Sequence, residues 1–273
     1  MILSGKDVAR AIKNEIKERL KDCISSPKLG IYLKNDDDPA RVYSNSIVKK
    51  ASKLGIEAKI IEIDPNISEE GFKVLYSETE NEFDGIIFQR PFPKNININL
   101  INNIISPSKD IDSVSSYNLG KIVQSNNKIA PATPTAVIDI LEYYDIPIKG
   151  ADVAIIGRSV SVGRPLSMML LQKHATPTVC HTKTKDIKSI TKNADIVVVS
   201  AGKPKLLGKD YFTENSIVID VGINVLDGKI VGDVDFDEVY DKVKAITPVP
   251  GGVGTVTTYR LMLNLLEVVN ASK

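Results

Sequence analysis

Two kinds of apolar pattern alternate along most of the chain. After Ser4, a residue type that caps helices, apolar residues recur at Val8, Ile12, Ile16 and Leu20, the spacing of one helix face. Other segments are short apolar runs bounded by Gly, Pro, Asn or Asp, which is typical of buried strands. The predicted strands are 28–33, 56–63, 84–89, 152–156, 177–180, 195–200, 216–221 and 244–247. The first predicted helix begins at residue 4. The other predicted helices are 40–54, 68–80, 97–105, 135–144, one that begins at about 166, and 256–269. The segment 106–132 is expected to be irregular.

The alternation of strands with helices predicts an α/β protein with parallel sheets and right-handed crossovers. At 273 residues the chain is long enough for two domains. Pro147 and Gly150 mark a boundary, so we predict a first domain over 1–147 and a second over 148–254. The second is expected to be a Rossmann-like, doubly wound parallel sheet. The C-terminal helix, 255–273, is expected to pack back on the first domain.

Composition narrows the classes of partner. The chain has 35 Lys and Arg against 34 Asp and Glu, so it lacks the basic excess of nucleic-acid-binding proteins. No apolar run reaches the roughly 18 residues of a membrane span, and the early charges argue against a signal peptide. Cys23 and Cys180 are expected to be free thiols of a cytoplasmic protein. No metal site is expected, because His174, Cys180 and His181 lack a second ligand pair at finger spacing.

A glycine-containing turn follows the predicted strand 152–156. It begins at Gly157, contains Gly163, and leads into a helix. Such a turn favours phosphate, because free backbone N–H groups and the helix dipole both attract an anion. The spacing is not GxGxxG, so a purely structural turn remains the alternative. Arg158 and Ser159 favour the phosphate interpretation, since both can donate hydrogen bonds to it.

The next strand ends in the polar segment 179–184, which contains Thr182 and no carboxylate. In dinucleotide folds an acidic residue near this position binds the ribose 2′-hydroxyl of NAD. Here the first carboxylate is Asp186. The segment therefore favours the 2′-phosphate of NADP, with a solvated loop as the alternative.

A loop rich in glycine and proline, 247–257, directly precedes the last predicted helix. Its three glycines let the backbone approach a flat ligand closely. A simple tight turn is the alternative, although a turn alone does not need three glycines.

Several further segments complete an ordered set of motifs along nearly the whole chain. They are residues 37–40 with Tyr43, 84–86 leading to Gln89 and Pro91, 107–112, 118–120, 133–134, 157–159 with 162–165, 220–224, and 247–254. On these motifs the chain resembles the bifunctional methylenetetrahydrofolate dehydrogenase/methenyltetrahydrofolate cyclohydrolase family. The 247–254 loop is the most specific match.

The resemblance implies an enzyme of one-carbon folate metabolism, with a folate cleft between its two domains. The first domain would bind tetrahydrofolate one-carbon derivatives and the second NADP. The implied protein is a homodimer joined through the cofactor domain. It would oxidise 5,10-methylenetetrahydrofolate to the methenyl cation by hydride transfer, and then hydrolyse that cation to 10-formyltetrahydrofolate.

The resemblance also implies roles for individual residues. Tyr43 would stack against the folate, Gln89 would support the reacting region, and Asp112 would bind the pterin. The implied substrate-binding set is Tyr43, Gln89, Arg90, Asp112, Pro248, Pro250, Gly251 and Gly252. The implied cofactor-binding set is Gly157, Arg158, Ser159, Thr182, Ile223, Gly254 and Thr257.

The chain departs from the family at a catalytic position. The family has a Lys four residues after the Tyr, and here that position is Ile47. An alkyl side chain can neither donate nor accept a proton, whereas hydride transfer depends more on positioning than on a protein base. We therefore expect the dehydrogenase to be retained and the cyclohydrolase to be weak. There are three smaller departures. Arg90 lies where the family has Leu, Ser113 lies where the family usually has Gly, and Thr255 with Val256 replaces the usual Pro-Met.

Three alternatives remain at the level of sequence. The first is a fully bifunctional enzyme in which another group does the work of the missing Lys. The second is a nucleotide-binding module without catalysis. The third is a short-chain dehydrogenase using Tyr240 and Lys244, which have the Tyr-x-x-x-Lys spacing but follow the Rossmann strands.

Overall fold

The computed structural model describes residues 1–271. They form two compact units, each built around a parallel sheet. The five-stranded unit comprises residues 1–12 and 131–260, and the three-stranded unit comprises 13–130 and the chain from 261 onward. Two of the three boundaries along the chain therefore fall within helices, α1 (Gly5–Leu20) and α10 (Val253–Ala271). The domain ranges 1–147 and 148–254 stay a prediction, and the compact units group residues 131–147 with the five-stranded sheet.

The three-stranded unit has strands β1 (Lys28–Lys34), β2 (Glu57–Ile63) and β3 (Gly85–Phe88), in the parallel order β2-β1-β3. Its helices are α2 (Asp38–Ser52), α3 (Glu69–Thr79), α4 (Ile98–Ile104) and α5 (Ser116–Val123). The core on one side of the sheet is aromatic, with the rings of Tyr32, Phe72, Tyr76 and Phe88 in mutual contact. Helix α10 is tied to this unit by the side-chain amide of Asn264, which donates to the carbonyls of Ile111 and Ala130.

The five-stranded unit has strands β4 (Asp152–Ile156), β5 (Thr176–Cys180), β6 (Ile196–Val199), β7 (Ile217–Asp220) and β10 (Ala245–Ile246). Their order is β10-β7-β6-β4-β5, and all neighbours are parallel. Counted along the chain this is the doubly wound order 2-1-3-4-5. The helices are α6 (Ala132–Tyr143), α7 (Gly163–Gln172), α8 (Ile187–Asn193) and α9 (Phe236–Val239), and a hairpin of β8 (Asn224–Leu226) and β9 (Lys229–Val231) follows β7.

Most predicted elements are present, with several local corrections. The prediction that 106–132 is irregular is wrong, because Ser115 caps α5 by accepting from the amide of Asn118. The β8–β9 hairpin was also missed, although Asp227-Gly228 between two short apolar segments is a hairpin signal. Helix α7 begins at Gly163 rather than near 166, and α10 begins at Val253 rather than 256.

Helix α2 begins two residues before the predicted start. The Asp37 carboxylate caps it by accepting from the Ala40 amide at 2.8 Å, and Pro39 lies in the first turn. Both features favour a helix start, since the cap satisfies an unpaired N–H and the proline lacks one. Gly55 follows the helix with a φ of 82°, a conformation that favours glycine. No helix within residues 1–271 has the length and apolar character needed to span a membrane.

Candidate functional site

The switch point of the doubly wound sheet lies between β4 and β6, which run side by side with Ile156 level with Val199. Connections leave these two strands in opposite directions along the sheet, and ligands of such sheets bind at the carboxyl ends there. Gly157 is the first residue after β4, and its amide donates to the Cys180 carbonyl at 2.9 Å. The predicted phosphate turn therefore lies at the position where this fold class binds nucleotides.

Gly157 cannot be replaced by a larger residue without movement of the turn. Its φ is 130°, and a Cβ there would lie 2.7 Å from the Ser200 hydroxyl oxygen and still closer to the Ser200 carbonyl. A Cβ on Gly163 would collide with the Gly157 carbonyl oxygen. Both glycines are thus required by close backbone approach, which gives a narrow cradle at the start of α7.

The turn is held by its own hydrogen bonds. The Ser159 hydroxyl accepts from the amide of Val162 at 3.1 Å, and the Ser159 carbonyl accepts from the amide of Arg164 at 3.1 Å. Val162 is the N-cap of α7 and supplies no side-chain cap. A helix start without a side-chain cap, in a cradle lined by glycine, suits the pyrophosphate of a dinucleotide. These residues therefore fit the predicted cofactor.

The loop after β5 supports NADP over NAD. Arg158 and Thr182 are both exposed, on loops that follow adjacent strands. The first carboxylate, Asp186, caps α8 by accepting from the Ser189 amide at 3.1 Å. Because that carboxylate is engaged in capping, it is poorly placed to bind a ribose hydroxyl.

Two buried aspartates organise the loops after β6 and β7. Asp220 accepts from the amides of Gly222, Asp233 and Val234 at 2.9, 3.1 and 2.9 Å. Asp233 in turn accepts from the amides of 201, 202 and 203 and from the side chain of Asn224. The role of Asp233 was not predicted, since the amides that donate to it lie 30 to 32 residues away and no local pattern indicates them.

The pKa of Asp220 gives the five-stranded unit a pH dependence that can be measured. Burial raises this pKa from 3.8 to about 6, although three backbone N–H groups oppose the shift. The folded protein then binds this proton more tightly than the unfolded chain does, so its contribution to the free energy of unfolding falls as pH rises from about 4 to about 6. We expect the unfolding free energy of wild type minus that of Asp220→Asn to fall by up to about 3 kcal/mol over this range.

Urea denaturation at several pH values measures this difference. Asp227→Asn is the control, because Asp227 is exposed in the hairpin turn and its φ of 50° also suits Asn. The difference in unfolding free energy between wild type and Asp227→Asn is expected to be the same at every pH. A difference for Asp220→Asn that rises with pH contradicts the prediction.

The loop before α10 is packed against its own unit. A Cβ on Gly252 would lie 2.5 Å from the Pro248 carbonyl oxygen, and the Gly251 carbonyl accepts from the Gly5 amide at 2.9 Å. A Cβ on Gly5 would collide with the Gly252 carbonyl. Internal packing thus accounts for glycine at Gly252, and a ligand role for the loop stays a prediction.

The other predicted cofactor residues near this loop differ in their surroundings. Ile223 is 62 % exposed, and a Cβ on Gly254 would lie 3.0 Å from its Cδ1 atom, so these two residues are neighbours. Thr257 is buried, and its hydroxyl donates to the Val253 carbonyl at 3.1 Å. Its predicted contact with the cofactor is therefore less favoured than that of the exposed Ile223.

Two of the predicted folate residues lie at the carboxyl end of the three-stranded sheet. Gln89 follows β3, and its amide donates to the Tyr32 carbonyl at 2.9 Å. Ile86 forms a parallel bridge with Asp110, and Asp112 lies in the turn that directly follows that bridge. Both side chains are half-buried. The bridge thus brings the segment that leads to Asp112 alongside the strand that leads to Gln89, 23 positions earlier in the sequence.

The turn around Asp112 is shaped by neighbouring polar groups. The Asp110 carboxylate is fully buried and accepts from the amides of Val114 and Ser115 and from the side chain of Asn118. Ser113 has a φ of 50°, a conformation that glycine adopts without strain. This is the physical reason why glycine suits position 113, where this chain has Ser.

The helix that carries Tyr43 buries the position of the missing Lys. Ile47 is 0 % exposed and shares the buried face of α2 with Ala40, Ser44 and Ala51. Tyr43 is half-buried. The apolar side chain of Ile47 therefore completes the packing of α2, and it has no group that can transfer a proton.

Arg90 lies beyond Gln89 and is exposed. Its guanidinium lies 5.3 Å from the centre of the Phe92 ring, a cation–π contact that holds it on the surface next to β3. Among the described residues, no cluster of three or more His, Cys, Asp or Glu side chains could hold a metal ion.

A doubly wound sheet with a glycine turn at its switch point defines a dinucleotide-binding α/β protein. Two family models match the sequence: tetrahydrofolate dehydrogenase/cyclohydrolase, catalytic domain, over residues 3–112, and its NAD(P)-binding domain over 131–273. The chain belongs to the tetrahydrofolate dehydrogenase/cyclohydrolase family. The predicted family and the two-domain α/β fold with a Rossmann-like second domain are confirmed.

Individual relatives agree with this assignment. The bifunctional protein FolD of Clostridium botulinum strain Okra is 48 % identical over 97 % of both chains. The crystal structure of the bifunctional FolD enzyme of Campylobacter jejuni has a TM-score of 0.95 at 38 % identity and covers 100 % of this chain and 99 % of its own. The Trypanosoma brucei methylenetetrahydrofolate dehydrogenase-cyclohydrolase, solved with NADP and an inhibitor, has a TM-score of 0.92 at 31 % identity and covers 100 % and 98 %.

Proposed function

We propose that this chain is an NADP-dependent methylenetetrahydrofolate dehydrogenase whose methenyltetrahydrofolate cyclohydrolase activity is weak. The observation that carries the dehydrogenase is the backbone cradle at Gly157, in a chain that belongs to this family. The first carboxylate after β5, that of Asp186, is engaged in capping α8, which favours NADP over NAD. The observation behind the weak hydrolysis is the fully buried Ile47 where the family has a Lys.

When bound, NADP supplies the hydride acceptor. The residues of this chain bind and orient the reactants. Backbone groups from 157 to 159 hold the pyrophosphate, and the Arg158 guanidinium pairs with the 2′-phosphate. Asp112 accepts N–H bonds from the pterin, Gln89 supports the reacting region, and the Tyr43 ring stacks on the folate. Positioning of this kind accelerates hydride transfer without a protein base, so Ile47 does not prevent it.

A two-wavelength absorbance assay tests the proposal. The wild-type protein is mixed with 5,10-methylenetetrahydrofolate and NADP, and the NADPH and methenyl bands are followed together. We expect NADPH to form and the methenyl intermediate to accumulate. Dinucleotide binding without NADPH formation would mean that the chain is a binding module, and the dehydrogenase proposal would be wrong.

Arg158→Ala is expected to weaken NADP far more than NAD. The substitution removes a charged hydrogen bond to the 2′-phosphate that is worth about 1.5–3 kcal/mol, or roughly 10- to 150-fold in affinity. Isothermal titration calorimetry with both dinucleotides measures the ratio. Lys173→Ala is the control, because Lys173 follows the other end of α7 and pairs with Glu142. Equal losses for NADP and NAD contradict the assignment of Arg158.

We further propose a cytoplasmic homodimer joined through the five-stranded unit. Support comes from the β8–β9 hairpin, which exposes the apolar side chains of Val225, Leu226 and Ile230 by 70, 39 and 49 %. Exposed apolar patches of this kind are typical of interaction sites. Sedimentation equilibrium of the purified chain measures the oligomeric state, and a monomer at all concentrations contradicts the proposal.

A further inference from the structure

Helix α2 carries a lysine on the side of the helix that presents Tyr43. At about 100° per residue, Lys50 lies only about 20° around the helix from Tyr43 and about 60° from Ile47. The neighbouring Lys49 lies about 120° around the helix from Tyr43 and about 160° from Ile47. Exposure agrees with this geometry, because Tyr43 and Lys50 are half-buried, Ile47 is fully buried, and Lys49 is exposed.

The Lys50 side chain is long enough to replace the missing group. Its Cα lies about 4.5 Å along the axis beyond that of Ile47, at 1.5 Å per residue. Helical side chains lean towards the N-terminus of the helix, over the preceding turn. The amine of Lys50 can therefore lie beside the turn of α2 that contains Ile47, on the side of the helix where Tyr43 lies.

The surroundings of Lys50 also suit proton transfer. Burial lowers the pKa of the Lys50 ammonium, and desolvation is the cause. A lysine that loses its proton more readily is a better base near neutral pH than a fully exposed one.

We propose that Lys50, placed one turn beyond Ile47 on the face of α2 that carries Tyr43, is the proton-transfer group of the residual cyclohydrolase reaction. The inference rests on the proposed function and deepens it. The Lys50 amine takes a proton from water as the water oxygen bonds to the methenyl carbon. The ammonium then returns that proton to N5 as the carbon–N5 bond breaks. The hydroxyl proton of the adduct leaves to solvent, so one proton is released for each 10-formyltetrahydrofolate formed.

The test follows decay of methenyltetrahydrofolate alone, without dinucleotide, and compares full-length variants with wild type and with buffer. Wild type is expected to speed the decay measurably. Lys50→Met is expected to lower the enzyme-dependent rate by about tenfold or more, because a proton-transfer group is lost. Lys49→Met is the matched control and is expected to keep the wild-type rate. Dehydrogenase activity, measured separately, is expected to stay within about twofold in every variant.

A second pair of variants separates proton transfer from charge. Lys50→Arg keeps the positive charge, but its guanidinium cannot lose its proton at working pH. Methenyltetrahydrofolate is therefore expected to decay as slowly with Lys50→Arg as with Lys50→Met. Lys50→Gln is the polar alternative if Lys50→Met fails to fold, as judged by circular dichroism.

Three results overturn the assignment of Lys50. They are an unchanged rate in Lys50→Met or Lys50→Gln, a wild-type rate in Lys50→Arg, and a wild-type protein no faster than buffer. None of these touches the dehydrogenase proposal. A wild-type protein that forms no NADPH overturns the proposed function instead, and the two failures are therefore distinguishable.

Discussion

Gly157→Ala is expected to lower kcat/KM for NADP by more than about 100-fold. Alanine at φ of 130° is strained by about 1–3 kcal/mol, and its Cβ would overlap the backbone of Ser200. Overpacking of this kind costs a further 1–3 kcal/mol or so, and the backbone of the turn must move to relieve it. Because the cradle is made of that backbone, movement of the turn would remove the hydrogen bonds that we propose hold the pyrophosphate. Steady-state kinetics and calorimetric NADP titration measure the loss.

Gly120→Ala is the matched control for this variant. Gly120 lies inside α5, and a Cβ there has nothing within 4 Å. We expect unchanged NADP kinetics and a gain in stability of about 0.5–1 kcal/mol, since Ala favours the helix. A folded Gly157→Ala protein that binds NADP as tightly as wild type would show that the cradle is not the pyrophosphate site.

Ile47→Lys is expected to speed hydrolysis of the methenyl intermediate by about 100-fold or more. A positioned general acid or base contributes about 10²–10⁴-fold, and the wild-type chain has only alkyl carbons at this position. The gain comes with a loss of stability of about 3 kcal/mol, because an ammonium replaces a fully buried apolar side chain. The long side chain reduces this cost by extending towards the half-buried edge at Tyr43.

Decay of methenyltetrahydrofolate and thermal unfolding measure the two effects together. Ile47→Met is the control, because it keeps an apolar side chain of similar volume and adds no proton-transfer group. It is expected to leave both the decay rate and the dehydrogenase unchanged. If wild type already removes the intermediate as fast as it forms, the prediction of weak hydrolysis is wrong.

The sequence alone was sufficient for most parts of this protein that depend on local pattern, with helix α5 and the β8–β9 hairpin as the exceptions. Runs of apolar residues predicted the strands of the two parallel sheets, and the glycine turn after the strand 152–156 predicted a cradle that the structure places at the switch point. The stripe of α1 and the cap of α3 at Ser68 are equally local signals. Each of them is complete within a few residues, because helix and strand periods and capping hydrogen bonds span only one or two turns.

Tertiary structure decided which of these residues meet. No local pattern indicated that Asp233 would accept amide hydrogen bonds from residues 201–203, because its partners belong to a loop after a different strand. Position 47 is a similar case. The sequence identified an Ile in place of a Lys, but its complete burial and the half-buried position of Lys50 depend on which side of α2 packs on the sheet. Helix α2 has lysines on more than one face, and only the elements that pack against it determine which lysine is partly buried.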